Sequence, residues 1–240
     1  MKITFVNKEE IARELEIAGW LASASTDLKN ASPAKLSSVA KHCIESGHNT
    51  VTRSMRFNFE IAEISRNCAN QLVRHELGLA KCQQSQRYCI VDTASHYTPA
   101  SYNKNQSFYI PTLDLFLTYE QFMQISKEMY FASLQKGVPM EDARMVLAGA
   151  SHTKINVSFN WEGLTNFCQE RRCKRAQTEI RTVANTIYAQ VEDVSHFLGQ
   201  FLVPPCEIHG YCPEKRGCGK EMSREQALKV LNDYKSKRAK

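Results

Sequence analysis

The stretch QLVRHELGLAKCQQSQRY, residues 71–88, decides the interpretation of this chain because it places two arginines among amide and hydroxyl side chains. Each of the two, Arg74 and Arg87, presents a planar fork of N–H donors that matches a phosphate or carboxylate group. Neutral hydrogen bonds are offered by Gln83, Gln84, Ser85 and Gln86. This mixture favours a nucleotide ligand. By itself, however, the stretch is also typical of a solvated helix end followed by a turn.

Two more arginine-containing stretches follow along the chain. In GVPMEDAR, residues 137–144, Arg144 comes after an acidic pair and alone indicates a surface ion pair. In NWEGLTNFCQERRCKRAQ, residues 160–177, four basic residues lie within five positions. On a helix they point in different directions, because neighbours in sequence are about 100° apart. Such runs are typical of solvated helices and of nucleic-acid binding, so the order and joint occurrence of the three stretches carry the information.

Together these stretches resemble the flavin-dependent thymidylate synthase family. Its signature is an Arg-His-Arg triplet followed by a segment that ends Ser-x-Arg-Tyr. Here the signature stands as Arg74-His75-Glu76 and Ser85-Gln86-Arg87-Tyr88, with one extra residue between the halves. Three more elements resemble the family in the same order: Gly47-His48-Asn49-Thr50, Gly137 to Leu147 and Asn160 to Arg181. The tail from Cys206 to Gly219 resembles some bacterial members, so the match covers most of the chain.

The resemblance implies an enzyme that methylates dUMP at C5 without a cysteine nucleophile. Methylene-tetrahydrofolate supplies the carbon, and reduced FAD, regenerated by NADPH, supplies the hydride. Arg171 matches the arginine that stabilises negative charge on the pyrimidine when N3 ionises, which makes it the expected catalytic residue. The implied dUMP-binding residues are Gln71, Arg74, Gln84, Ser85, Gln86, Arg87, Arg144 and Arg171.

The resemblance also implies an FAD site and a homotetramer whose active sites are built from several subunits. The implied cofactor-binding residues are His48, Thr50, Arg74, His75, Glu76, Leu77, Gln83, Asn160, Glu162 and Asn166.

Two charges on the flavin side are reversed relative to the family. Glu76 and Glu162 stand where the family has arginines, and Arg53 stands where many members have an acid. A reversed unit charge about 4 Å from the pyrophosphate is worth about 4 kcal/mol at surface-like screening, so nearby cations must compensate. The sequence therefore predicts a charge swap at Arg53. The other candidate cations are Arg56, Lys81 and Lys174.

Two other functions are alternatives. Flavin-independent 5-hydroxymethylation of a pyrimidine deoxynucleotide needs no hydride, so it is compatible with reversed charges at a flavin site. A nucleic-acid-binding protein would use the basic run at 171–175, but that run lacks the interleaved aromatic side chains that stack on bases. The net charge of +6 is explained mostly by the basic C-terminal tail. We therefore expect small-molecule partners, dUMP and folate, rather than nucleic acid.

Composition and periodicity predict the fold class. With 240 residues, 42% hydrophobic and 23% charged, the chain is long enough for one compact domain with its own core. We predict an α+β, helix-rich single domain with a small mixed or antiparallel sheet. Residues 1–220 form the catalytic domain, and residues 221–240 form a C-terminal helix and basic tail.

Individual elements follow from periodicity and stop signals. Strands are predicted at Ile3–Val6, Met55–Ile64, Tyr88–Val91 and Lys154–Phe159. Helices are predicted at Glu9–Ala22, Pro33–Ser46, Cys68–Leu77, Leu113–Lys136, Met140–Leu147, Trp161–Leu198 in one or two segments, and Ser223–Lys235.

Location and cysteine content complete the expectations. No signal peptide is evident, and no run approaches the roughly 18 apolar residues needed to span a bilayer, so we expect a soluble, cytoplasmic protein. Nine cysteines in such a chain indicate reduced thiols. A structural zinc site at Cys206, His209, Cys212 and Cys218 is an alternative, but their spacings are loose compared with paired C-x-x-C motifs. We expect no metal.

Overall fold

The structure is a computed structural model that describes residues 1–25, 27–28, 30–90, 95–103 and 105–238. The strands are β1 Lys2–Phe5, β2 Arg56–Ser65, β3 Leu79–Gln83, β4 Ser107–Ile110, β5 Leu115–Thr118 and β6 His152–Asn160. The helices are α1 Ile11–Leu21, α2 Pro33–Glu45, α3 Asn49–Thr52, α4 Arg66–Leu72, α5 Tyr119–Gln135, α6 Met140–Ala143, α7 Trp161–Arg171, α8 Thr178–Val194, α9 His196–Gly199, α10 Pro205–His209 and α11 Arg224–Arg238.

The chain divides into two compact units, each made of two segments. The first combines Met1–Asn7 with Asn58–Ser158, and the second combines Lys8–Phe57 with Phe159–Lys240. The α+β class is confirmed, since the described part contains eleven α-helices and six strands. The boundary at residue 220 stays a prediction. In the described residues, no helix is both long and apolar enough to cross a membrane.

A four-stranded sheet in the order β1-β2-β6-β3 is the centre of the first unit. β1 and β2 are antiparallel, with Phe5 opposite Phe59, and the two rings stack with centroids 4.5 Å apart. Alternate residues of β2 are buried until Glu63, whose φ is +58°. This left-handed conformation is uncommon outside glycine and interrupts the alternation. As a result Ile64 and Ser65 are both buried.

A hairpin precedes the long helix of the first unit. β4 and β5 are antiparallel, and Thr118 at the end of β5 begins α5 with a capping box. Its hydroxyl accepts from the Gln121 amide at 3.2 Å, and the Gln121 side chain accepts from the Thr118 amide at 2.8 Å. The helix predicted at Leu113–Lys136 is therefore wrong over its first residues, because Leu115–Thr118 pairs as a strand.

Helix packing organises the second unit. Gly19 of α1 lies directly on α2, where a Cβ atom would fall 1.9 Å from the carbonyl oxygen of Leu36. Only glycine allows that approach. The apolar stripe of α8, which follows helical spacing, is fully buried. It consists of Ile180, Val183, Ala184, Ile187 and Val191.

Most predicted elements are confirmed to within a few residues. Two errors concern the signature stretch. The predicted helix Cys68–Leu77 ends at Leu72, and a strand at Leu79–Gln83 follows that periodicity did not reveal. The predicted strand Tyr88–Val91 is wrong where it is described: Arg87 and Tyr88 lie in a turn, and Val91 lies outside the described residues. Trp161–Leu198 divides into α7, α8 and α9.

Candidate active site

The first half of the signature lies in the turn after α4. Gln71 is half-buried in the last turn of the helix, Arg74 is exposed, and His75 is buried. The Lys81 ammonium donates to the carbonyl of Val73 and, at 3.5 Å, to that of His75. This lysine therefore holds the turn on β3. The next two predicted residues, Glu76 and Leu77, are exposed.

The second half of the signature is a loop that leaves β3. The Gln84 amide donates to the Lys154 carbonyl at 2.9 Å, so the loop begins on β6. The Arg87 amide donates to the Ser85 hydroxyl at 3.1 Å, which tightens the turn. The Arg87 side chain then reaches the Glu141 carboxylate, with Nε at 3.0 Å and Nη2 at 2.8 Å. Gln86 is half-buried in the same turn.

Glu141 brings the loop and the segment after α6 together. Its carboxylate accepts from Arg87, and its carbonyl accepts from Nε of Arg144 at 2.9 Å. A third arginine, Arg66 at the start of α4, donates Nη1 to the Gln84 carbonyl at 3.3 Å. Burial and the nearby charge of Arg144 both lower the pKa of Arg66. The first unit thus brings together Gln84, Ser85, Arg87 and Arg144, four of the residues predicted to bind dUMP, and adds Arg66.

Sequence reasoning missed Arg66 because its neighbours in sequence give no signal. The residue follows Ser65, whose hydroxyl caps α4 by accepting from the Cys68 amide at 2.9 Å. A polar residue just inside a helix start is ordinarily solvated. Only in the fold does its guanidinium reach the Gln84 carbonyl and come under the charge of Arg144, which makes Arg66 part of a cationic cluster.

In the second unit, the residues predicted to hold the flavin lie on α7 and before and within α3, and these two helices contact each other. The Asn160 side chain caps the helix by accepting from the Gly163 amide at 2.8 Å. Glu162 and Asn166 are four residues apart and therefore lie on one face of the helix. His48 and Thr50, before and within α3, are exposed.

The predicted charge swap is visible in this unit. Arg53 donates two hydrogen bonds to the carboxylate of Glu162, from Nε to Oε2 at 2.6 Å and from Nη2 to Oε1 at 3.4 Å. This carboxylate raises the pKa of Arg53. Nη1 of Arg56 donates to the Arg53 carbonyl at 2.7 Å and holds the turn after α3. The acid at position 162 is therefore matched by a cation supplied from elsewhere in the chain.

Arg171 lies half-buried at the end of α7, beside a cavity of about 480 Å³. One wall is the C-terminal loop, including Pro204–Cys206 and Cys212–Glu214. Arg175 fixes that loop by donating to the Arg216 carbonyl at 2.6 Å. Arg172 packs its guanidinium 3.5 Å from the Tyr188 ring centroid and donates to the Leu202 carbonyl at 2.5 Å. Arg172 and Arg175 are thus held by backbone carbonyls, and Arg171 and Arg175 both line the cavity.

The cysteine-rich tail was the other candidate site. Cys173, Cys206, Cys212 and Cys218 border one small cavity, but His209 does not. Burial raises the pKa of Cys206, and the nearby Glu207 and thiols raise it further. Among the described residues, no group of three or more histidine, cysteine or acidic side chains is placed to hold a metal ion.

Comparison with known proteins identifies the family. The family model described as thymidylate synthase complementing protein matches residues 7–195. The flavin-dependent thymidylate synthase of Pyrococcus furiosus is 33% identical over 231 residues, covering 90% of each chain. The chain belongs to the flavin-dependent thymidylate synthase family. The enzyme of that name from Geobacter sulfurreducens is 37% identical over 177 residues, 72% of each chain.

Two solved structures share the fold of this family member. The flavin-dependent thymidylate synthase of Helicobacter pylori, complexed with FAD and dUMP, aligns with a TM-score of 0.62 at 16% identity. It covers 85% of this chain and 100% of the other. The UMP/dUMP methylase PolB of Streptomyces cacaoi, bound to 5-Br dUMP, also aligns at 0.62, with 15% identity and 83% and 93% coverage.

Proposed function

We propose that this protein is a thymidylate synthase that transfers the one-carbon unit of methylene-tetrahydrofolate to C5 of dUMP, giving dTMP. FAD and NADPH act as the reductant. The arginine cluster joined by Glu141 is the observation that carries the proposal, because it collects the family's substrate residues in one unit. We assign the activity to residues 1–220, with the helix and tail of 221–240 appended, and we place the protein in the cytoplasm with its nucleotide and folate substrates.

The substrate residues divide by chemistry. Arg87 and Arg144 supply cationic forks for a phosphate, and the Ser85 hydroxyl supplies a neutral donor beside them. Arg74, exposed in its turn, and the amides of Gln71, Gln84 and Gln86 supply further contacts to sugar and base. A dianionic ligand is favoured here because the described residues of this cluster contain three guanidinium groups and one carboxylate, that of Glu141.

Arg171 is the proposed catalytic residue. A fixed guanidinium beside the uracil stabilises the negative charge that develops when N3 ionises, and this charge makes C5 nucleophilic. Its place at the end of α7, with Arg172 and Arg175 anchored directly after it in the chain, restricts its movement. A cation held in advance needs no reorganisation as charge develops.

The residues present fit a flavin. The Nε2 atom of Gln83 is buried and has no hydrogen-bond partner among the described residues, so an acceptor on a ligand would remove an unfavourable unsatisfied donor. Arg53 restores a cation beside Glu162. The residues proposed to hold FAD are His48, Thr50, Arg74, His75, Glu76, Leu77, Gln83, Asn160, Glu162 and Asn166. When bound, FAD supplies the hydride that completes the methyl group.

A homotetramer is part of the proposal. α5 exposes a stripe of large apolar side chains, with Phe122 at 52%, Ile125 at 45% and Met129 at 54% exposure. Such spacing along one helix face is suited to packing against another chain. In the preceding hairpin, Phe116 is also exposed.

Flavin-independent hydroxymethylation, the alternative, is not favoured because the named relatives are flavin-dependent synthases.

Spectroscopy and product analysis test the proposal together. We expect purified protein, reconstituted with FAD, to show oxidised-flavin absorption that NADPH bleaches without oxygen and that dUMP plus methylene-tetrahydrofolate restores, with dTMP as the product. A reaction without methylene-tetrahydrofolate is the control and should yield no dTMP. A protein that cannot be reconstituted with flavin and that releases a 5-hydroxymethyl nucleotide would overturn the proposal.

A further inference from the structure

Three cysteines border the cavity beside Arg171 in the second unit. Cys206 and Cys212 belong to the C-terminal loop, and Cys173 follows the end of α7. The same three, together with Cys218, border a neighbouring cavity of about 30 Å³, which has room for only one or two water molecules. Four of the nine cysteines are therefore gathered in one region of the chain, and the proposed reaction uses none of them.

The chain changes direction between Cys206 and Cys212. Cys206 lies in α10, which ends at Gly210, and the φ of +71° at that glycine redirects the chain. The amide of Cys212 donates to the Met222 carbonyl at 2.8 Å, which fixes the backbone after the turn. The Cys212 sulfur lies against Gly217, where a Cβ atom would be 3.1 Å from it. The two cysteines thus border the same small space from the two ends of a short segment.

Electrostatics single out Cys212 as the neighbour of Cys206. Burial raises the pKa of Cys206, and Glu207, Cys212 and Cys173 raise it further, in that order. Of the two neighbouring thiols, Cys212 therefore has the stronger influence. A raised pKa also keeps Cys206 in the thiol form and makes it a poor first nucleophile, because only the thiolate attacks a disulfide.

We infer that Cys206 and Cys212 form a dithiol modification site, independent of the proposed function, which low-molecular-weight disulfides such as glutathione disulfide convert reversibly into an intramolecular disulfide bond. The Cys212 thiolate attacks the small disulfide, and one small thiolate leaves and takes up a proton. Cys206 then loses its proton, attacks the Cys212 sulfur and releases the second small thiol. In total the two protein thiols lose two electrons and two protons, and the small disulfide gains them.

The bond joins two segments of the loop that walls the cavity beside Arg171, Pro204–Cys206 and Cys212–Glu214. Both thiols are free in the structure, so the loop is described in its reduced state. A cross-link restricts the freedom of the loop when the protein unfolds. We expect oxidation to raise the Tm by about 2 to 6 °C, and dithiothreitol to reverse the change.

Disulfide mapping of the full-length protein tests the site. The protein is incubated with about 0.1 mM glutathione disulfide, below the millimolar effective concentration of a neighbouring thiol, and free thiols are then blocked with iodoacetamide. Cleavage after Glu207 places the two cysteines on separate peptides, so only a disulfide keeps them together in mass spectrometry. We expect the Cys206–Cys212 cross-link to exceed mixed disulfides with glutathione at these residues by about 10-fold.

Serine variants assign the bond to its two residues. Cys206→Ser and Cys212→Ser should each abolish the cross-link and the change in Tm, and should leave the remaining thiol to form a mixed disulfide. Cys218→Ser is the matched control, because Cys218 is exposed and borders the same small cavity, and this variant should keep both the cross-link and the change in Tm. If a serine variant does not fold, the mapping of the wild type decides by itself.

Each outcome decides the inference. A cross-link to Cys173 or Cys218 in place of this pair overturns it, as do mixed disulfides alone or thiols that stay unmodified. A cross-link that leaves the Tm unchanged would show that the bond does not restrain the loop. Wild-type thiols that react with iodoacetamide only after a chelator is added would mean that a metal ion occupies the cluster, which also overturns the inference. Since no readout involves nucleotide, folate or flavin, the assay of dTMP formation succeeds or fails separately.

Discussion

The arginine cluster of the first unit and the Arg53–Glu162 pair of the second handle charge in opposite ways. In the cluster, the Glu141 carboxylate binds only Arg87, whereas Arg144 and Arg66 donate to the backbone carbonyls of Glu141 and Gln84. In the pair, one cation meets one acid. The cluster therefore keeps a net positive charge that a ligand can neutralise, whereas the charges of Arg53 and Glu162 neutralise each other.

This difference indicates which of the two regions depends on the charge of its ligand. An excess of partly buried cations favours a dianion strongly and makes its binding sensitive to salt. A neutral ion pair adds orientation but little net attraction. We therefore expect nucleotide binding to depend on the phosphate, and flavin binding to depend more on shape and hydrogen bonds.

The largest expected effect separates chemistry from binding. Arg171→Gln should lower kcat by about 100- to 1,000-fold, the cost of removing a fixed group that stabilises developing charge. The KM for dUMP should change far less, because the phosphate is bound by the cluster. Steady-state rates of dTMP formation measure both constants. Arg224→Gln, an exposed arginine at the start of α11, is the control. An equal rise in KM with unchanged kcat would contradict the catalytic role.

A double reversal tests the ion pair. Arg53→Glu or Glu162→Arg alone places like charges at the positions of the pair, so each should weaken FAD binding several-fold. Both changes together recreate an ion pair of opposite direction and should recover most of the affinity, a coupling that neither single change predicts. Flavin fluorescence quenching measures the dissociation constants. If the double variant is as weak as the sum of the single ones, the pair does not act as a unit.

The smallest expected effect concerns Glu14, which binds the backbone of Arg56, the residue that donates to the Arg53 carbonyl. Glu14 accepts from the Arg56 amide at 3.0 Å, and burial raises the pKa of the Glu14 carboxyl although that bond lowers it. A raised pKa in the folded state means that ionisation opposes folding. The stabilisation by the protonated form is complete below the unfolded-state pKa and is lost as pH rises through the folded pKa.

Glu14→Gln should therefore raise the Tm at pH 7 by no more than a few degrees. The advantage should disappear when the wild-type carboxyl is protonated. Thermal unfolding at pH 7 and near pH 4 measures this difference, with Glu9→Gln at the exposed surface as the control. A Tm advantage that grows on acidification would show that the sign is wrong.

Sequence predicted the elements whose patterns are local. β2 and β6 alternate, and the bounds of α2 follow from Pro33 at its start and Gly47 after its end. The error at Leu115–Thr118 arose because those residues form a strand only by pairing with Ser107–Ile110. Local periodicity contains no information about that partner.

The same limit applies to the site. The family resemblance named Arg87 and Arg144, and the charge argument named Arg53 among four candidate cations; its pairing with Glu162 came from the structure. Arg66 was missed because its importance depends on Gln84 and Arg144, which are distant in sequence and meet it only in the fold. The burial of Arg66 and its closeness to another positive charge result from packing, so the amino-acid composition does not reveal them.

The Arg53–Glu162 pair also restricts how this protein changes by single substitutions. A chain that exchanges the two charges one codon at a time must pass through two arginines or two acids, or through a neutral residue on one side. Because Nε and Oε2 are only 2.6 Å apart, variants with two arginines or two acids at these positions are disfavoured. A variant with a neutral residue such as glutamine at one position avoids this repulsion. We therefore expect the two positions, which are 109 residues apart in sequence, to covary among related proteins.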